Sequence, residues 1–218
     1  MYIDAHRLYE DDGTPVPFIE SPHQSDRFEP RYLVIHYTAT LTIRDCVAWF
    51  LDAAAKASAH VIVGRNGRIA QMVAFNRRAW HAGRSRWHGV EDLNAHALGI
   101  ELVNAGALER TPAGAWTDGA GHAVADGQVR IARHKHESVD RGWHEFPPLQ
   151  IDRALAVART LHAQYGVEEV LGHDDIAPGR KLDPGPAFPM APFAFDLLGG
   201  TRSVSVAVGD PTGREEHD

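Results

Sequence analysis

Arg31 to Tyr37 reads RYLVIHY, a run rich in β-formers with apolar side chains at consecutive positions rather than at every second one. A strand patterned this way is covered on both faces, so it belongs inside a sheet with a layer on either side. Working outward, Thr42 to Ala57 (TIRDCVAWFLDAAAKA) predicts a helix with Thr42 as N-cap and Asp45 in the first turn. Its apolar face would be Ile43, Val47, Phe50, Leu51 and Ala54. Cys46 and Trp49 read as packing residues. AHVIVG (Ala59–Gly64) and IAQMV (Ile69–Val73) flank the hairpin signal Asn66-Gly67 and should pair antiparallel. LGIELVN (Leu98–Asn104) predicts the next strand. Ile151 to Tyr165 predicts a second helix, with Ile151, Leu155, Ala158, His162 and Tyr165 on its face and Gly166 as its stop. VEEVLG then delivers His173 at the end of another strand. Strands alternating with helices place the fold in the α/β or α+β class.

The chain has 218 residues, which suits a single domain with appendages. Residues 1–30 are polar and proline-bearing and read as an arm lying on a domain that spans 31–198, and His6 and His23 within it read as surface residues. Residues of about 105–150 read as an insertion, a long excursion over one face carrying a hairpin. His134 and His136 alternate there as strand neighbours would; a second metal is one reading, and surface histidines the favoured one. Residues 199–218 form a charged tail.

A net charge of −7 with no basic stripe argues against a general nucleic-acid partner, because neutralising phosphates needs a positive surface. Cys46 is the only cysteine, so neither a disulfide framework nor a thiolate metal cluster can form, and any metal must use His, Asp or Glu. No segment is long and apolar enough to span a bilayer, and the start of the chain lacks the basic and apolar regions of a secretory signal. As it stands the chain reads as cytoplasmic, although a periplasmic protein released from its signal would look similar. Oligomeric state is not written in these features.

GHDDIAPGRKLDPGPAF, Gly172 to Phe188, concentrates the chemistry. Its glycines and prolines predict a fixed, mostly extended loop rather than a helix or central strand. The turn signal PGR lies between His173 and Asp183 and could bring both to one point, with Lys181 facing the same way as Asp183. A histidine and a carboxylate are two of the three protein ligands of a hydrolytic zinc site. His36, like His173 at the end of an apolar strand, is the candidate third. Glu101 sits between Ile100 and Leu102, where a carboxylate is costly unless it is paired or faces a polar site. The alternative is an edge strand with Glu101 in solvent. With zinc activating water, Glu101 could take its proton and Lys181 could stabilise an oxyanion, a set suited to hydrolysing an amide or ester. Trp80, His81, Trp87 and His88 fall in a glycine-bearing loop, either as lids on the core or as a wall for a ligand.

VIHYTA (Val34–Ala39), SAHVIVGRNGRIAQMV (Ser58–Val73), RAWHAG (Arg78–Gly83), LGIELVN and GHDDIAPGRKLDPGPAF, in that order, resemble the zinc-dependent N-acetylmuramoyl-L-alanine amidases, which share a fold with peptidoglycan recognition proteins and some phage lysins. The resemblance implies a mixed central β-sheet flanked by helices. It implies Zn(2+) held by His36, His173 and Asp183, assistance from Glu101 and Lys181, and substrate contacts from Tyr37, Trp80 and His81. It implies cleavage between the lactyl group of N-acetylmuramic acid and L-alanine in peptidoglycan or muropeptides. The last motif and RAWHAG look especially like the bacterial subgroup that recycles anhydro-muropeptides. A non-catalytic peptidoglycan-binding receptor, and the same chemistry used as a phage lysin or antibacterial effector, are the competing readings. A receptor is expected to lose a ligand or an assisting residue, and all five positions are filled here.

Overall fold

The structure, a computed structural model, describes residues 1–199; all of the tail beyond Gly199 lies outside the described residues. Its centre is a five-stranded sheet made of β1 (Tyr32–Tyr37), β2 (Val61–Val63), β3 (Ile69–Gln71), β4 (Ala97–Leu102) and β5 (Glu169–Gly172). The spatial order is β5-β1-β4-β2-β3, with parallel pairs from β5 through β2 and β3 antiparallel at the edge. The sheet is therefore mixed. All six residues of β4 are buried, which excludes the edge-strand alternative for Glu101.

Alternation along β1 and β4 divides the side chains between two faces. Leu33, Ile35, Leu98, Ile100 and Leu102 pack against Ala154, Val157 and Leu161 of α2 (Pro148–Tyr165) and against Phe193 and Leu197 of a C-terminal helix (Met190–Leu198). The opposite face is covered by α1 (Ile43–Leu51) and by the loop carrying RAWHAG. The Thr42 side chain caps α1 by accepting from the Asp45 amide. This helix stops at Leu51, short of the predicted Ala57, and buries Cys46 and Phe50 while Leu51 and Trp49 are exposed, Trp49 by 53%. Cys46 packs as expected and Trp49 does not. Helix α2 starts at Pro148, its prolines serving the first turn, and its deepest stripe is Ala154, Val157, Ala158 and Leu161. Gln150, at its start, spans to the carbonyls of Val63 and Val103 and so ties the helix to two strand ends.

Residues 1–30 contribute a hairpin (Tyr2–Asp4 with Arg7–Tyr9), and Leu8 and Val16 enter the main core. His23 is buried, its Nε2 2.7 Å from the Asp52 carbonyl, and His6 Nδ1 lies 2.8 Å from the Tyr165 hydroxyl. Neither is a free surface histidine. The 105–150 segment is more than a hairpin. It forms a second five-stranded, antiparallel sheet ordered Ala123–Val124, Trp116–Thr117, Ala107–Arg110, Asp140–His144, Val129–Arg133. Among the described residues no helix is long and apolar enough to cross a membrane.

Candidate metal centre

The site grows from strand register. Glu101 of β4 pairs with His36 of β1, and Gly172 of β5 pairs with Ile35, so His173 follows one step beyond, in the row of His36. Paired residues on adjacent strands point to the same face. His173, His36 and Glu101 are therefore set side by side at the carboxyl ends of three parallel strands, where open α/β sheets gather ligand-binding groups.

Beyond β5 the chain does not run extended, as its glycines and prolines suggested. It makes one helical turn, α3 (His173–Ile176), in which the Asp175 side chain accepts from the Gly172 amide. A series of turns then returns Asp183 to the row. His36 Nδ1 lies 3.0 Å from His173 Nδ1, and each of these nitrogens lies 2.9 Å from Asp183 Oδ2. Among the described residues these three form the group able to hold a metal ion. Their near-equilateral triangle has sides close to the roughly 3.3 Å that separates tetrahedral ligands placed about 2.0 Å from an ion.

The protonation pattern suits ligation. His36 Nε2 is 3.0 Å from His81 Nδ1, and His81 Nε2 is 3.0 Å from the Ala97 carbonyl, which can only accept. His81 therefore carries its proton on Nε2, receives one from His36 Nε2–H, and leaves His36 Nδ1 with a free lone pair. His173 Nε2–H likewise donates to the Ala82 carbonyl at 3.1 Å, freeing its Nδ1. Burial, aided by the neighbouring His173, depresses His36 to about 4, so it is neutral near pH 7.

Glu101 is 9% exposed and its Oε2 has no hydrogen-bond partner, a costly state for a buried carboxylate unless something is to be bound there. Burial, then the charge of Asp183, pushes it up to about 8 against the opposing pull of Lys181. Lys181 is half-buried and lines the same groove as the ligand atoms. Tyr37 and Trp80 also line the groove. The Tyr37 ring packs over Gly106, where an added Cβ would stand 2.3 Å from it, and Trp80 Nε1 donates to Ser25 Oγ at 3.3 Å. His81 lines the same groove but is largely buried and bonded to His36. The space for its ring exists because residue 99 is glycine; a Cβ there would lie 2.6 Å from His81 Cγ.

Sequence reasoning missed Trp49, which stands on the groove wall formed by α1. Its absence from the apolar face of Ile43, Val47, Phe50, Leu51 and Ala54 was the available signal. It also missed His134, which is 1% exposed and bonded to Asp174. No local pattern announces that long-range contact.

A His-His-Asp cluster able to hold a metal ion, beside a buried, unpaired glutamate at the carboxyl edge of a mixed sheet, is an arrangement suited to a hydrolase. Residues 26–186 match the family model of N-acetylmuramoyl-L-alanine amidase. The chain is 32% identical to a 1,6-anhydro-N-acetylmuramyl-L-alanine amidase, AmpD, of Salmonella typhimurium, the match covering 78% of this chain and 83% of that one. It is 34% identical to the N-acetylmuramoyl-L-alanine amidase AmiD of Escherichia coli, over 83% of this chain but 59% of AmiD, which is the longer protein. Superposition on a crystal structure of an AmpD derivative gives a TM-score of 0.60 at 25% identity, covering 90% of this chain and 99% of that one. AmiD in complex with anhydro-N-acetylmuramic acid-L-Ala-D-γ-Glu-L-Lys gives 0.57 at 32% identity, covering 86% and 65%. The chain belongs to the N-acetylmuramoyl-L-alanine amidase family.

Proposed function

We propose that this amidase uses zinc, held by His36, His173 and Asp183, to hydrolyse the bond between the lactyl group of N-acetylmuramic acid and L-alanine in muropeptides. The observation that carries this reading is the convergence of three ligand atoms, each about 3 Å from the next, beside the unpaired Oε2 of Glu101. Two neutral imidazoles and one carboxylate form a donor set suited to zinc with a coordination position left open. Zinc bound there supplies Lewis acidity, polarising a carbonyl and bringing the pKa of water to about 7.

The remaining work falls to side chains. Glu101 accepts the proton of the attacking water and passes it to the departing amine of L-alanine. Lys181 places a positive charge where oxygen charge develops. His81 and the Ala82 carbonyl hold the two ligand histidines in the required tautomers. Tyr37 and Trp80 line the groove that takes substrate. AmpD's name and the AmiD complex both concern an anhydro sugar, which supports anhydro-muropeptides as substrates for this chain as well. The arm at 1–30 and the insertion at 105–150 are read as appendages of this one amidase domain.

Digestion of purified sacculi and of anhydro-muropeptides, with and without a chelator, tests the reading by product mass. Chelator-sensitive release of stem peptides beginning at L-alanine is expected. Tight binding to sacculi with no cleavage of either substrate would instead identify a receptor.

A further inference from the structure

The second sheet reaches the loop that follows His173. The turn leaving strand Val129–Arg133 carries His134, Lys135 and His136, and all three grip the pair of aspartates that directly follows His173. His136 N–H donates to His134 Nδ1 at 3.2 Å, so His134 carries its proton on Nε2 and donates it to Asp174 Oδ2 at 2.9 Å. Lys135 Nζ is 2.9 Å from Asp174 Oδ1 and also bonds Asp175. His136 Nε2 lies 3.0 Å from the Asp174 carbonyl. The Asp174 amide in turn donates to the Asp183 carbonyl at 2.8 Å, joining the two ends of the loop that bear ligands. His134 and Asp174 are 1% and 4% exposed, so water cannot replace either partner.

The same sheet supports the loop further along. Trp143 stacks on His134, with ring centroids 5.7 Å apart, and covers Gly185, where a Cβ would meet its ring at 2.6 Å. Just past this strand, Phe146 packs edge-on against Phe188.

We propose that the His134–Lys135–His136 turn is a positioning device for the metal loop, fixing the backbone between His173 and Asp183 so that their ligand atoms converge. Ion affinity then depends on residues that never touch the ion. This rests on the ligand assignment above, and outer partners of metal ligands commonly carry such dependence.

The test is zinc affinity of the full chain, measured by competition with a chromophoric chelator, alongside amide hydrogen exchange over residues 172–185 in the metal-free protein. His134→Ala is expected to weaken zinc binding about 10- to 100-fold and to speed exchange in that loop. His134→Gln, which keeps a donor at the same reach, should restore most of both. His122→Ala, which removes an exposed imidazole from Asp118 elsewhere in the same sheet, should change neither. Should His134→Ala fail to fold, Lys135→Met at a half-exposed position serves instead, with an expected loss of about two- to fivefold. Wild-type affinity and exchange in His134→Ala, or wild-type affinity in Lys135→Met, overturns the proposal while leaving the ligand assignment standing. A wild-type chain that takes up no zinc overturns both.

Discussion

Glu101 and His36 are register partners on adjacent parallel strands, yet they stand in opposite states: His36 Nδ1 lies within 3.0 Å of two prospective ligand atoms, while Glu101 Oε2 has no partner. One strand offers a lone pair to a converging set of ligand atoms, and its neighbour offers a carboxylate oxygen without a partner. That division separates holding an ion from handling a proton. Glu101→Gln is therefore expected to keep full zinc content and to lose about 10²- to 10⁴-fold in kcat. Activity within twofold of wild type would remove Glu101 from the proton path.

The same residue should tie stability to pH in the metal-free protein. Its carboxyl is raised from 4.5 to about 8 in the folded state, chiefly by burial. The folded form thus keeps its proton while the unfolded chain releases it, so stability is fully present below pH 4.5 and falls as pH rises through about 8. Glu101→Gln has no such proton to keep. The melting temperature of the variant relative to wild type should climb across this window and level off above it. A constant difference would show that Glu101 is not held protonated.

Removing any of the three proposed ligands would leave two, too few to hold the ion. His36→Ala, His173→Ala and Asp183→Asn should each lose most bound zinc and hydrolysis, as read by metal analysis and product mass. Because an ion that binds only the folded state stabilises it by mass action, chelation should also lower the melting temperature, and added zinc should restore it. Stoichiometric zinc in two of these variants would dismiss the ligand set.

His81 holds the tautomer of His36, and Gly99 makes room for it. His81→Phe fills the space without an acceptor and should weaken zinc binding about 10- to 100-fold. Gly99→Ala should do the same from the other side by displacing the ring. Unchanged affinity in both would show that His36 keeps its orientation unaided.

Trp49 is half-exposed on the groove wall and buries too little to support the fold. Trp49→Ala should raise KM for muropeptides with kcat and melting temperature unchanged, the pattern of lost binding common to ground and transition states. A KM equal to wild type would leave it as an incidental surface aromatic.

The central strands were legible because burial on both faces writes itself into sequence as an unbroken apolar run, as in RYLVIHY. The histidines at strand ends and the carboxylate inside LGIELVN stood out against those runs. The second sheet was not legible for the converse reason. Ile131 is 57% exposed and its strand is half-buried at most, so no periodic pattern separates it from a loop. The burial of His134 depends on Asp174, forty residues away, and the burial of His23 on the end of α1. The helical turn at His173–Ile176 was hidden by the prolines that follow it, since its stability comes from Asp175 bonding back to Gly172 rather than from propensity. Trp49 was misjudged because an aromatic in an amphipathic helix is usually core, and only the neighbouring groove gives it another surface to face.

The row formed by His173, His36 and Glu101 has a consequence for quality control. Side chains alternate across a strand, so a slip of one residue between Glu169–Gly172 and Tyr32–Tyr37 would turn His173 toward the helices on the far side. Misassembled molecules would then be silent rather than partly competent. At full metal loading, catalytic output from such a domain would count correctly zipped sheets.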